Sequence, residues 1–220
     1  MEELLPKIFE DCLNYFAHHI IEVLIVKASS EIEFKYILCS FNNYNNFLSY
    51  SLAPIGSYTI QKIIECIPCQ FRNEFKLIFV SFMGFISKKQ FGILNVKKII
   101  ENTKSENINL LIMDFIRKNF MNLGMNQYVN YLIQFLLEIW KNTPEGNKIK
   151  EIVFKHFQEI CGKKYSSFIC ELFIKIISTE GKIKLIKILD LDYLLKSNNR
   201  HAIKIIKALG INNHNDNGSC

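Results

Sequence analysis

A segment of one design occurs three times at nearly fixed spacing, and this constrains the fold more than any other feature of the chain. The copies are Ser57-Tyr58-Thr59-Ile60-Gln61, Asn130-Tyr131-Leu132-Ile133-Gln134 and Ser167-Phe168-Ile169-Cys170-Glu171. Each opens on a small polar residue, continues with an aromatic and two spacers, and closes on Gln or Glu. Gln134 and Glu171 are 37 residues apart, and Gln61 and Gln134 are 73 apart, or two such periods. Self-similarity at a period of roughly 20 to 50 residues marks stacked units that bury their apolar faces against one another.

Three weaker copies extend the series. In Phe91-Gly92-Ile93-Leu94-Asn95-Val96-Lys97 the closing Lys97 lies 36 residues after Gln61 and 37 before Gln134. Its first, second and fifth positions are Ile93, Leu94 and Lys97. Phe16 to Glu22 places Glu22 39 residues before Gln61, and Asn199 to Lys204 places Lys204 33 after Glu171. Six units tile residues 1–210 as a single array, degenerate at both ends. The polar tail, 211–220, has the composition of a disordered segment.

The units are helical. Leu132, Ile133, Leu136, Leu137 and Trp140 form an apolar stripe at helix spacing, as do Ile60, Ile63, Ile64 and Ile67, and Ile169, Phe173 and Ile177. Pro and Gly fall at Pro54-Ile55-Gly56, Cys66-Ile67-Pro68-Cys69 and Pro144-Glu145-Gly146, read here as breaks between helices. Strand-like alternation is nowhere sustained, so the chain is expected to be all-α. On such a helix the first and fifth motif positions share a face, the second lies beside them, and the two spacers turn inward.

Hydrogen-bonding side chains beside an exposed ring suit nucleobases, and the charge permits that partner. Lys and Arg number 27 against 21 Asp and Glu, a net charge of +6. The surplus of Ile, Phe, Asn, Lys and Tyr is also that of an AT-rich coding sequence, so isolated Lys and Asn clusters carry little weight. Seven scattered cysteines, an acidic start without a basic signal region, and apolar runs as short as Ile20–Val26 point to a reduced compartment and no membrane span.

Other chemistry finds little support. Cys66-x-x-Cys69 has no second pair at zinc spacing, and His18-His19 has no acidic or thiol partner nearby. Asp190 and Asp192 suit helix capping. With no phosphate loop, nucleophile elbow or triad order, no enzyme, cofactor or metal is expected.

The chain resembles the Pumilio, or PUF, family of RNA-binding repeat proteins. The run from Asn126 to Glu138 is similar to that family's D-Q-Y-G-N-Y-V-I-Q-x-x-L-E, and Lys164 to Glu171 to its K-F-A-S-N-V-V-E. Leu48 to Glu65 resembles one of its helix-turn-helix runs, and Asn199 to Ile205 its degenerate closing cap. The resemblance implies a right-handed α-solenoid of about six three-helix repeats. The second helix of each would line a concave face that reads single-stranded RNA antiparallel, one base per repeat.

The resemblance also assigns roles. Ser167 and Glu171 would read guanine with Phe168 stacking, since a carboxylate accepts from N1–H and N2–H₂ together. Asn130 and Gln134 would read uracil with Tyr131 stacking. Ser57, Tyr58 and Gln61 match the adenine-reading set, with a pyrimidine tolerated. Lys97 would meet a phosphate or only space its neighbours. Arg200, His201 and Lys204 would contact backbone or stack at the RNA 5′ side.

The function implied is post-transcriptional regulation in the cytoplasm. It would act by occupancy of an mRNA 3′ untranslated region bearing a U-G-U-A-type element, with protein co-regulators on the convex face. The alternatives are a Pumilio-like factor in nucleolar ribosomal RNA processing and a protein-binding solenoid of the HEAT or armadillo kind.

Overall fold

The computed structural model describes residues 13–28, 30–41, 44–102 and 106–211. Among them every regular element is helical. The helices are α1 (Ala17–Lys27), α2 (Glu31–Phe41), α3 (Tyr44–Leu52), α4 (Pro54–Cys66), α5 (Cys69–Ile86), α6 (Gln90–Glu101), α7 (Glu106–Gly124), α8 (Val129–Ile139), α9 (Pro144–Ile160), α10 (Ser166–Ile176), α11 (Thr179–Ile188), α12 (Leu191–Lys196) and α13 (Arg200–Ala208). Beyond Ile211 the expected polar tail lies outside the described residues. No described helix is long and apolar enough to cross a membrane.

Within the expected array the chain divides into two compact units, Met1–Ile112 and Met113–Cys220. In the first, α4 packs on α1, α3 and α6, and α6 also packs on α3 and α5. Phe47 meets Phe79 edge-on at 5.3 Å and Phe75 at 6.1 Å, knitting α3 to α5. In the second unit α10 is the hub, packing on α8, α9 and α13. There Phe173 of α10 sits 5.9 Å from Phe157 of α9.

The motif segments lie on α4, α6, α8 and α10, one per helix. Between motif helices the chain forms a single long helix in α5, α7 and α9, but two shorter ones in α2–α3 and α11–α12. Three helices per unit therefore hold before α4 and α13 and become two before α6, α8 and α10. The break between α11 and α12 has a local cause. The Asp190 carboxylate accepts from Tyr193 N–H at 2.9 Å and starts a new helix there.

The sequence reading put Pro54, Gly56, Pro144 and Gly146 between helices. They instead open α4 and α9, because proline's missing N–H and fixed φ suit the first helical position. Thr143 caps α9, its Oγ1 accepting from Gly146 N–H at 3.2 Å. The glycines answer to close packing. A Cβ on Gly92 would overlap the carbonyl of Ile86, and one on Gly56 would come within 2.8 Å of Tyr50 O. Both carbonyls lie six residues earlier. At the matching place in α10, Ser166 keeps its side chain by donating to Ile160 O, also six residues earlier, at 2.8 Å.

The described cysteines, Cys39, Cys66, Cys69, Cys161 and Cys170, are free thiols. Burial pushes the Cys161 thiol up to about 11 and raises Cys170 well above its ordinary value.

Candidate nucleic-acid interface

The four motif helices bury the same places. Counting the small polar residue as position one, α4 buries Gly56, Ser57, Thr59, Ile60, Ile63 and Ile64. Helix α8 buries Val129, Asn130, Leu132, Ile133, Leu136 and Leu137, and α10 buries Ser166, Ser167, Ile169, Cys170, Phe173 and Ile174. Helix α6 repeats the register with Gly92, Ile93, Asn95, Val96, Ile99 and Ile100. Position two is exposed in every case: Tyr58 57%, Leu94 42%, Tyr131 54% and Phe168 42%. A ring that belonged to the core would not be left in solvent at the same position of three helices.

Position one is covered. Ser57, Asn130 and Ser167 are at most 1% exposed, although the sequence reading set them against base edges. Each donates to the carbonyl three residues earlier: Ser57 Oγ to Pro54 O at 3.2 Å, Asn130 Nδ2 to Gln127 O at 2.7 Å, Ser167 Oγ to Lys164 O at 3.2 Å. Such local bonds satisfy buried polar side chains at a helix start. The hydrogens at position one are thus spent within the helix, and what remains to meet a base is an accepting oxygen.

Position five is half-buried in all four helices. Gln134 donates Nε2 to Asn130 Oδ1 at 2.9 Å, and Gln61 donates Nε2 to Ser57 O at 3.2 Å. These bonds point the amide along its own helix and leave Oε1 as an acceptor, the group that a uracil N3–H needs. Glu171 differs. Its Oε1 stands 2.8 Å from Lys204 Nζ on α13. The geometry is that of an ion pair without hydrogen-bond alignment. Lys204 Nζ also lies 5.7 Å from the centre of the Phe168 ring.

Helix α6 carries the skeleton without the readers. Ile93 is buried, Lys97 is half-buried, and Asn95 donates to Ser51 O at 3.1 Å, fastening α6 to α3.

On α13 the buried residues are Ala202, Ile205 and Ile206. Matching them to the other helices puts Asn199 at position one, Arg200 at two and Ile203 at five. The register is one residue earlier than the sequence assignment of Arg200, His201 and Lys204. Asn199 is occupied as the helix cap: its Oδ1 accepts from His201 N–H at 2.9 Å and its Nδ2 donates to Gly162 O at 2.8 Å. On α1, buried His18, exposed His19 and half-buried Glu22 fall at positions one, two and five. His18 pairs through Nδ1 with Asn14 O at 3.1 Å. His19 and Glu22 are thus a ring and a carboxylate in the reading register, with His18 the covered residue beside them. Aligning on burial would have marked them as candidates.

No family model matches the sequence, and no curated protein matches it significantly. Solved structures do match. PUF-8 in complex with PBE-RNA aligns with a TM-score of 0.80 at 15% identity, over 95% of this chain and 62% of that one. A Puf4 double mutant bound to a Cox17 RNA 3′ UTR recognition sequence gives 0.82 at 16%, over 94% and 70%. The RNA-binding domain of yeast Puf5p bound to MFA2 RNA gives 0.78 at 17%, over 94% and 63%. The chain therefore has the all-α repeat fold of PUF domains, and it spans about three fifths of the PUF-8 and Puf5p structures.

Proposed function

We propose that this chain, carrying that repeat fold, binds single-stranded RNA through its motif helices and selects a G-U step with α10 and α8. The carrying observation is the shared register: an exposed ring at position two beside a polar position five, on three helices with one burial pattern. A protein-binding solenoid needs the buried half of that pattern and has no use for the exposed half. The three PUF structures compared above are bound to RNA, one of them to a Cox17 RNA 3′ UTR recognition sequence, which supports the same partner class here.

The chemistry runs unit by unit. Glu171 accepts from guanine N1–H and N2–H₂, and adenine lacks that pair of donors. Gln134 accepts from uracil N3–H, and Tyr131 and Phe168 supply flat surfaces on which bases stack. Read antiparallel, guanine on α10 lies 5′ of uracil on α8. In the first unit Gln61 and Tyr58 favour adenine. Helix α6 spaces the readers, and the Lys97 ammonium offers a phosphate contact. Occupancy of such an element regulates the transcript.

Fluorescence anisotropy with short RNAs tests this. Replacing the G of a G-U RNA by A is expected to weaken binding by about 1–3 kcal/mol, the usual cost of a lost bidentate base contact. Equal affinity for the two RNAs would overturn the assignment of Glu171.

A further inference from the structure

Glu171 poses a problem that its counterparts do not. Gln61 and Gln134 are held by donating to oxygens one turn earlier in their own helices. A carboxylate has nothing to donate, and one turn earlier the helix offers it the Ser167 carbonyl oxygen and a Ser167 hydroxyl whose hydrogen already goes to Lys164 O. Changing Gln to Glu at position five thus removes the internal tether and adds a negative charge facing a polyanion. Its one partner among the described residues is Lys204, from the next motif helix.

The same α13 residues close the site on that side. Lys204 stands over the Phe168 ring, its ammonium nitrogen 5.7 Å from the centre and within cation–π range. Arg200 can only donate, so its Nε–H, 3.4 Å from His201 Nε2, makes that nitrogen the acceptor. The opposite Nδ1–H then points to Ser167 Oγ, 3.5 Å away, and Ser167 passes its own hydrogen to Lys164 O. Meanwhile α13 has no reader of its own, with Asn199 spent as a cap and Ile203 apolar at position five.

Resting on the RNA reading above, we propose that Lys204 is a specificity-determining residue of the guanine site. It holds the Glu171 carboxylate in place of the tether that glutamine makes for itself. Standing over Phe168 on the side of α13, it also ends the base row, so guanine is the last base selected on the 5′ side.

The test measures affinities for N-G-U and N-A-U RNAs, with each base at N, for wild type, K204A, K204M, K204R and K207A. Exposed Lys207, on the same helix, controls for loss of one charge. Wild type is expected to bind the four N-G-U RNAs within about twofold and to prefer G over A by about tenfold or more, as one bidentate contact predicts. K204A and K204M should lose most of that preference, K204R should keep it, and K207A should weaken all RNAs alike. G-over-A preference that survives in K204A, or a wild-type demand for one base at N, overturns the proposal while the RNA reading stands. Wild-type indifference between G and A overturns both.

Discussion

Helices α6 and α8 are alike inside and unlike outside. Both bury the same six places, yet α8 presents Tyr131 and Gln134 where α6 presents Leu94 and Lys97. The buried stripe and the surface chemistry are thus carried by different residues of the same helix. A unit can lose its surface chemistry and keep its place in the stack, since its buried stripe is untouched. At α6 the stack is reinforced by the buried Asn95 bond to Ser51 O.

The comparison breaks first if the interiors are not equivalent. Ile99→Ala and Leu136→Ala occupy the same place and are both fully covered. Each should destabilise the fold by about 2–5 kcal/mol in urea titrations, the usual range for such truncations. A large cost at one and a negligible cost at the other would show that the shared register does not mean shared packing.

The exteriors should separate next. Tyr131→Ala is expected to weaken binding of a G-U RNA by about 1–3 kcal/mol through lost stacking, leaving stability nearly unchanged. Leu94→Ala should alter neither base preference nor the response to salt. Anisotropy at two salt concentrations checks both, with circular dichroism for folding. Greater loss of discrimination in Leu94→Ala than in Tyr131→Ala would put the reading face on the wrong residues.

The smallest effect concerns how α6 is held. Lys98 of α6 lies 2.6 Å from Glu65 of α4, and Lys62 lies 2.9 Å from it. Hydrogen bonding to Lys98 first, and then Lys62, holds the Glu65 carboxyl below its ordinary value of 4.5. A depressed folded value means the stabilisation is present above the unfolded pKa and is lost as pH falls through the folded one. Glu65→Gln should therefore lower the urea midpoint slightly at pH 7 and not at all at strongly acid pH. A deficit that persists in acid would assign the effect to packing.

Much of this was legible in the sequence, because apolar spacing and repeat period survive substitution. The stripes of Leu132, Ile133 and Leu136 and of Ile60, Ile63 and Ile64 placed the motif helices and their inner faces. Capping by Asp190 was legible for the same local reason. The burial of Ser57, Asn130 and Ser167 was not, since it depends on a carbonyl one turn back and on the packing of the preceding helix. The register of α13 lies one residue before the sequence assignment of Arg200, His201 and Lys204 to backbone or stacking contacts, and the signal that sets it is the buried stripe of Ala202, Ile205 and Ile206. The contact of Lys204 with Glu171 joins residues 33 apart, and only the stacking of α13 on α10 brings them together.

Selection from a random single-stranded RNA pool tests whether the chain reads a G-U step without assuming either the partner or the code. RNAs sharing a G-U step with no fixed base before the G are expected to be enriched, and that enrichment is expected to be lost in a Tyr131→Ala, Glu171→Gln double variant. Recovered RNAs without a common G-U step, or the same enrichment in the double variant, would contradict the G-U reading.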